Sequence, residues 1–210
     1  MIKILVADDR AIVREGLKQI LQETPDIVVA DEARNGEEVM AKAGAKDFDL
    51  VLLDISLPGR SGLDILKQLK CQKPELPILI LSMHPEEQYA VRSLRAGASG
   101  YLTKESAPSE LIKAIKRVAQ GKKYITSSLA EKLAFEVGAN SEKPIHEALS
   151  DREYQVLCML ASARTVSEIA KALSLSIKTI STHRSRILKK MGMKNNAQLI
   201  HYAIRHNLVD

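Results

Sequence analysis

Five short apolar runs, at 2–7, 27–31, 49–54, 77–82 and 98–103, alternate with helical patterns near 11–23, 36–45, 61–72, 86–96 and 108–120. The runs are rich in Val, Ile and Leu and read as strands covered on both faces. Strands that alternate one by one with helices predict a parallel sheet wound on both sides. Start and stop signals agree. Asn35 precedes a helical run that carries an acid, Glu38, at its third position. Pro108 suits a first helical turn, and Gly97 and Gly121 suit helix ends.

Ligands of such sheets bind outside the carboxyl ends of the strands. That rule gives one location to residues far apart in the chain. Ile4-Leu5-Val6-Ala7-Asp8-Asp9 closes the first strand on two acids, and Leu50-Val51-Leu52-Leu53-Asp54 closes the third on another. Leu79-Ile80-Leu81-Ser82 closes the fourth on a hydroxyl, and Tyr101-Leu102-Thr103-Lys104 the fifth on an amine. An acidic pair alone is most often a solvated turn. The same polar chemistry at the ends of four apolar strands points to a site. Crowded carboxylates cannot all stay ionised without a counter-charge. Mg²⁺ takes carboxylate oxygens, keeps several waters and is often completed by phosphate. A carboxylate can also act as a nucleophile and become an aspartyl-phosphate. Asp54, alone at its strand end, is the candidate for attack, with Asp8 and Asp9 left to hold the metal. Lys104 and Ser82 are placed for phosphoryl oxygens.

With the acid pair Asp8-Asp9, Asp54 followed by Ile-Ser-Leu-Pro-Gly, Ser82, and Tyr101 three residues before Lys104, residues 1–121 resemble the receiver domain of bacterial two-component response regulators. The resemblance implies a flavodoxin-like five-stranded α/β fold. It implies that Asp54 is the phosphoacceptor of a sensor histidine kinase, and that Asp8, Asp9, Asp54 and the backbone carbonyl of Ser56 ligate Mg²⁺. Ser82 and Lys104 would contact the phosphoryl group, and Tyr101 would be the switch aromatic that turns inward. Ser56 and His84 fall where receivers flank the attacking water. Arg10 stands where relatives often carry His.

Charge divides the chain. Residues 1–121 carry net −1, 122–148 zero and 149–210 net +6. A small basic end is a candidate for nucleic acid. Aromatics are only 3% and Trp is absent, which disfavours base-stacking platforms for single strands. Residues 122–147 read as a linker, with a short helix at 127–133 and a flexible stretch at 138–144.

The basic end reads as four helices in a small all-α domain, residues 148–210. Ser150-Asp151-Arg152-Glu153 and Thr165-Val166-Ser167-Glu168 are capping boxes. Ser176 can cap a third helix, and Asn195 or Asn196 a fourth. The 3.6-residue period places Ile177, Ile180, Ile187 and Met191 inward. Lys178, Thr182, Ser185, Arg186 and Lys189 then face out, with Ser181 at the border. His183, at the flank, is either a packing residue or a phosphate contact. Arg184 falls toward the buried side. Two short helices joined by a tight turn, the second basic outside, describe a helix-turn-helix whose second helix enters the major groove of double-stranded DNA. A solvated basic face is the plain alternative.

Leu149-Ser150-Asp151-Arg152-Glu153, Val166-Ser167-Glu168-Ile169-Ala170 and Ser176-Ile177-Lys178-Thr179-Ile180-Ser181-Thr182-His183 resemble the LuxR-type DNA-binding domain. With the receiver, they place the chain in the NarL/FixJ class of response regulators. The class implies a transcription regulator rather than an enzyme, controlled by phosphorylation at Asp54 and acting as a homodimer on DNA. Its last helix, here about 195–207, makes the dimer contact, for which Leu199, Ile200, Ala203 and Ile204 are the apolar candidates. Ala163 stands where relatives usually have Gly. Two rival readings are a regulator of the same fold that works without phosphate and a Mg²⁺-dependent phosphohydrolase. The second is disfavoured, because Asp8 and Asp9 are adjacent rather than spaced as Asp-x-Asp and no cap domain follows.

No apolar stretch approaches the roughly 18 residues of a membrane span, and the apolar run before Asp8 is too short for a signal peptide. Cys71 and Cys158 lack metal-ligand spacing and read as reduced thiols. A cytoplasmic protein with no membrane partner is expected.

Overall fold

The computed structural model of the chain describes residues 1–138 and 144–209. The chain forms two compact units, Met1–Ala134 and Phe135–Asp210.

In the first unit, β1 (Ile2–Ala7), β2 (Ile27–Ala33), β3 (Leu50–Leu53), β4 (Ile78–Ser82) and β5 (Gly100–Thr103) alternate with five helices. These are α1 (Ala11–Gln22), α2 (Gly36–Ala45), α3 (Gly62–Gln72), α4 (Glu86–Arg95) and α5 (Pro108–Ala119). Neighbouring strands are all parallel, in the flavodoxin-like order β2-β1-β3-β4-β5. Every residue of β3 and β4 is buried, which is why those runs lack polar alternation. Ile4, Val6, Leu50, Leu52, Leu79 and Leu81 share one apolar core with Leu17 and Leu21 of α1 and Leu111, Ile115 and Val118 of α5. Each such side chain contributes roughly 1.5–3 kcal/mol by leaving water. The alternate residues Leu5, Val51, Leu53 and Ile80 are as fully buried, as a period of two across a doubly covered sheet requires.

Local signals act as read. The Asn35 side chain accepts the Glu38 N–H at 2.9 Å, Pro108 opens α5, and Gly97 leaves α4 with φ +103°.

Contacts of the first unit continue past residue 121. Tyr124 is buried, donates its N–H to the Ser99 carbonyl at 2.8 Å and bridges Gly100 alongside β5. Its hydroxyl donates to Glu110 at 3.0 Å. Burial and that carboxylate push the phenol up to about 12. Thr126 donates to Glu86 at 2.6 Å, and Leu129 is fully buried. The receiver side of the expected linker is therefore bonded to the sheet and to α4 and α5. It continues into α6 (Ser127–Gly138), longer than the helix read from sequence. The expected flexible stretch lies mostly at 139–143, outside the described residues.

In the second unit a 3₁₀ turn (Ile145–Ala148) precedes α7 (Asp151–Ala161), α8 (Val166–Ala172), α9 (Ile177–Met191) and α10 (Asn196–Arg205). Both capping boxes form, on Ser150 with Glu153 and on Thr165 with Glu168. Ser176 caps α9 and Asn195 caps α10. Tyr154, Val156, Leu157, Ile169, Ile180, Ile187 and Leu199 fill the core.

Two sequence readings fail here. Ile177 is 57% exposed. It is the first helical residue, a turn ahead of the point where α9 meets the core. Leu199 and Ala203 are fully buried within the unit, so of the four apolar candidates on the last helix only Ile204 (53% exposed) is largely open.

Ala163 adopts φ +59° in the turn before α8. A side chain there costs about 1–2 kcal/mol, while glycine loses up to about 1 kcal/mol more chain entropy on folding. The difference favours glycine. Ala163→Gly is expected to stabilise this unit by about 0.5–1 kcal/mol, read as slower amide hydrogen exchange in α7 and α8. Unchanged or faster exchange there would show that the turn is not strained.

Candidate functional site

The ends of β1, β3, β4 and β5 bring the expected residues to one edge. Asp8 and Asp54 are each 2% exposed, Asp9 is exposed, and Ser82 is fully buried. Asp8, Asp9 and Asp54 each offer a carboxylate oxygen within 4.8 Å of the others. The Lys104 ammonium donates to Asp54 Oδ2 at 2.7 Å and also to Asp8 Oδ2. Lys104 is held in place by its own backbone N–H, which donates to the Ser82 carbonyl at 2.7 Å. The Ser56 N–H donates to Asp54 Oδ1 at 3.1 Å.

Burial pushes the Asp54 carboxyl above its ordinary range, and the Lys104 cation pulls the other way without overcoming it. The donor set is hard oxygen throughout, which suits a hard divalent cation rather than a thiophilic metal.

The β4–α4 loop closes over Ser82. The His84 N–H donates to Ser82 Oγ at 3.1 Å, and the Tyr101 hydroxyl donates to the His84 carbonyl at 2.8 Å. Tyr101 is fully buried, in the inward position, and burial raises its phenol. His84 Nε2 lies 3.3 Å from Ser56 Oγ, and its ring sits 4.8 Å from that of Tyr89. Ser56 and His84 are thus in contact beside Asp54. Arg10 turns toward the acids: its Nε is 3.8 Å from Asp8 Oδ1, and its N–H donates to the same oxygen.

Sequence reading missed Arg14. It is 5% exposed. It donates to the Asp8 backbone carbonyl at 2.7 Å and to Glu32 Oε2 at 2.7 Å. This buried cation holds the turn that carries the acid pair. A signal was available: Arg14 precedes the buried Leu17 and Leu21 by three and seven residues, which puts a charge on the apolar face of α1 and calls for a buried partner.

On α9, Lys178, Ser181, Thr182, Ser185, Arg186 and Lys189 are all exposed. Arg184 turns inward to Asn196 at 2.7 Å, and Lys190 pairs with Glu153 at 2.6 Å. His183 is half-buried, its Nδ1 is enclosed without a hydrogen-bond partner, and burial with Arg152 nearby lowers its pKa. Of its two readings, the packing one fits better than a cationic phosphate contact.

Residues 4–116 match the model of the response regulator receiver domain, and residues 147–203 match that of bacterial regulatory proteins of the luxR family. The chain belongs to the response regulators. The regulator is 35% identical to the response regulator UvrY of Escherichia coli O6:H1 over 99% of its own length and 96% of that protein. It is 35% identical to the response regulator GacA of Pseudomonas protegens, over 100% of this chain and 99% of that one. Among solved structures it is similar to the RcsB response regulator of Salmonella typhimurium, with TM-score 0.63 and 28% identity over 97% of this chain and all of that one. It is also similar to RcsB in an RcsB–DNA complex, with TM-score 0.58 and 29% identity over 100% and 99% of the two chains. No helix of the regulator is long and apolar enough to cross a membrane among the described residues.

Proposed function

We propose that this response regulator is a DNA-binding transcription regulator switched by phosphorylation of Asp54. The observation that carries the reading is the Lys104 ammonium seated on Asp54 and Asp8 at the end of four strands. A sensor histidine kinase supplies the phosphoryl group. Its N–P bond breaks as an Asp54 carboxylate oxygen forms the new O–P bond. Asp8, Asp9, Asp54 and the Ser56 carbonyl are the residues that would hold Mg²⁺, which neutralises charge on the phosphoryl oxygens when bound. Lys104 is at hand for one phosphoryl oxygen and Ser82 for another. The Tyr101–His84 hydrogen bond then links β5 to the loop after Ser82. A change at the phosphorylated centre is passed to α4 and β5 as a two-state shift. The first unit carries the receiver function, and within the second the part from about residue 148 binds double-stranded DNA as a homodimer. The protein works in the cytoplasm.

Lys178, Arg186 and Lys189 give affinity through phosphates, and Ser181, Thr182 and Ser185 reach base edges. Duplex binding followed by fluorescence anisotropy, with and without a small phosphoryl donor, tests the switch. Wild type is expected to bind at least about tenfold more tightly once phosphorylated, a coupling of about 1.4 kcal/mol. Asp54→Asn should show no gain. If Asp54→Asn binds as tightly as phosphorylated wild type, the phosphate-independent rival is correct instead.

A further inference from the structure

Among the described residues of the second unit, Ile177 is the large apolar side chain most out of place. It is 57% exposed at the first position of a helix whose outer face is otherwise hydroxyl and cation. Nothing local explains it. A β-branched side chain gains no capping or dipole interaction at that position, where proline or an acid does. The cap is supplied by Ser176, whose Oγ accepts the Thr179 N–H at 3.0 Å. A protein interface does not explain it either, because such surfaces need a contiguous apolar patch. Ile177 instead stands one turn before Ser181 and two before Ser185, on a single i, i+4, i+8 ridge, and both serines are exposed.

The hydroxyls on this face are polarised. Thr182 Oγ1 donates to the Lys178 carbonyl at 2.9 Å, and Ser185 Oγ donates to the Ser181 carbonyl at 3.0 Å. With their hydrogens turned to the backbone, both present lone pairs outward. In the major groove an A·T pair offers an amino donor on adenine and a methyl group on thymine. Acceptor hydroxyls beside one exposed apolar side chain complement both. The N-terminal residues of a recognition helix are those that reach base edges.

We infer that Ile177 is a specificity-determining residue that packs on the C5 methyl of a thymine in each half-site. The inference rests on the DNA-binding reading of the second unit. It is tested on duplexes enriched from a random-sequence pool by the full-length wild type treated with a phosphoryl donor. In the most enriched duplex each thymine is replaced singly by deoxyuridine, which removes only the methyl.

At one thymine per half-site, wild type should lose about three- to fivefold in affinity, the worth of a buried methyl-sized group. Ile177→Ala should bind the thymine and deoxyuridine duplexes equally, and Ile177→Val should keep most of the discrimination. Because the side chain is exposed, the helical content of both variants should match wild type. If wild type and Ile177→Ala respond alike to methyl removal at every thymine, the inference is overturned while DNA binding stands. If wild type enriches no duplex over the pool, the DNA-binding reading fails and the inference fails with it.

Discussion

Gly62→Ala is expected to destabilise the receiver unit by about 3 kcal/mol or more and to disable the site with it. Gly62 opens α3 against the backbone that follows β3, and its N–H donates to the Ile55 carbonyl at 2.9 Å. A Cβ there would lie 2.3 Å from the Asp54 carbonyl oxygen and 2.6 Å from Ile55 Cα. Both are backbone atoms, so no side chain can swing aside. The clash is relieved only by moving the segment that aims Asp54. Gly16→Ala is the control: a Cβ there meets nothing within 4 Å. In mid-helix it should stabilise by roughly 0.5–1 kcal/mol. Urea unfolding of the full chain, followed by amide exchange in β1 and β3, reads both. Equal stability of the two variants would refute this packing.

Lys104→Met should have the next largest effect. Lys104 is 6% exposed in its side chain and bridges two carboxylates that are each 2% exposed. Breaking a buried pair on one side typically costs about 3–5 kcal/mol, because the remaining charges lose their partner. In chelator, the variant is therefore expected to melt well below wild type. A divalent cation can stand in for the lost ammonium, so added Mg²⁺ should stabilise Lys104→Met more than wild type.

The pH response has a definite sign. Burial raises the Asp54 carboxyl above its unfolded value. The folded state therefore takes up a proton first, and the variant gains stability as pH falls through that raised value toward the unfolded one, near 3.9. A variant as stable as wild type in chelator, and indifferent to Mg²⁺, would mean that Lys104 does not neutralise the acids.

The sheet was legible because five apolar runs and their breakers agree at every level, from the Asn35 cap to the fully buried β3 and β4. The acidic edge was legible because one rule, ligands at strand ends, gathers Asp8, Asp54, Ser82 and Lys104. What escaped was tertiary. Tyr124 reads as a linker residue because nothing nearby reveals that its N–H will find the Ser99 carbonyl. Ile177 has the right period for the core, but burial depends on what packs over the helix's first residue, and here it is left 57% exposed. Leu199 and Ala203 are apolar on an amphipathic helix, and periodicity cannot say whether that face meets its own domain or a second copy. Arg14 was missed for a different reason: a charge on an apolar face looks like an interruption until its partners, Glu32 and the Asp8 carbonyl, are known.

The most direct measurement is the intact mass of wild type and Asp54→Asn after incubation with a small phosphoryl donor, in Mg²⁺ and in chelator. One phosphoryl adduct on wild type, dependent on Mg²⁺ and lost in Asp54→Asn, is the predicted result. An adduct that persists in the variant, or none on a folded wild type that binds Mg²⁺, would contradict the assignment of Asp54 as the phosphoacceptor.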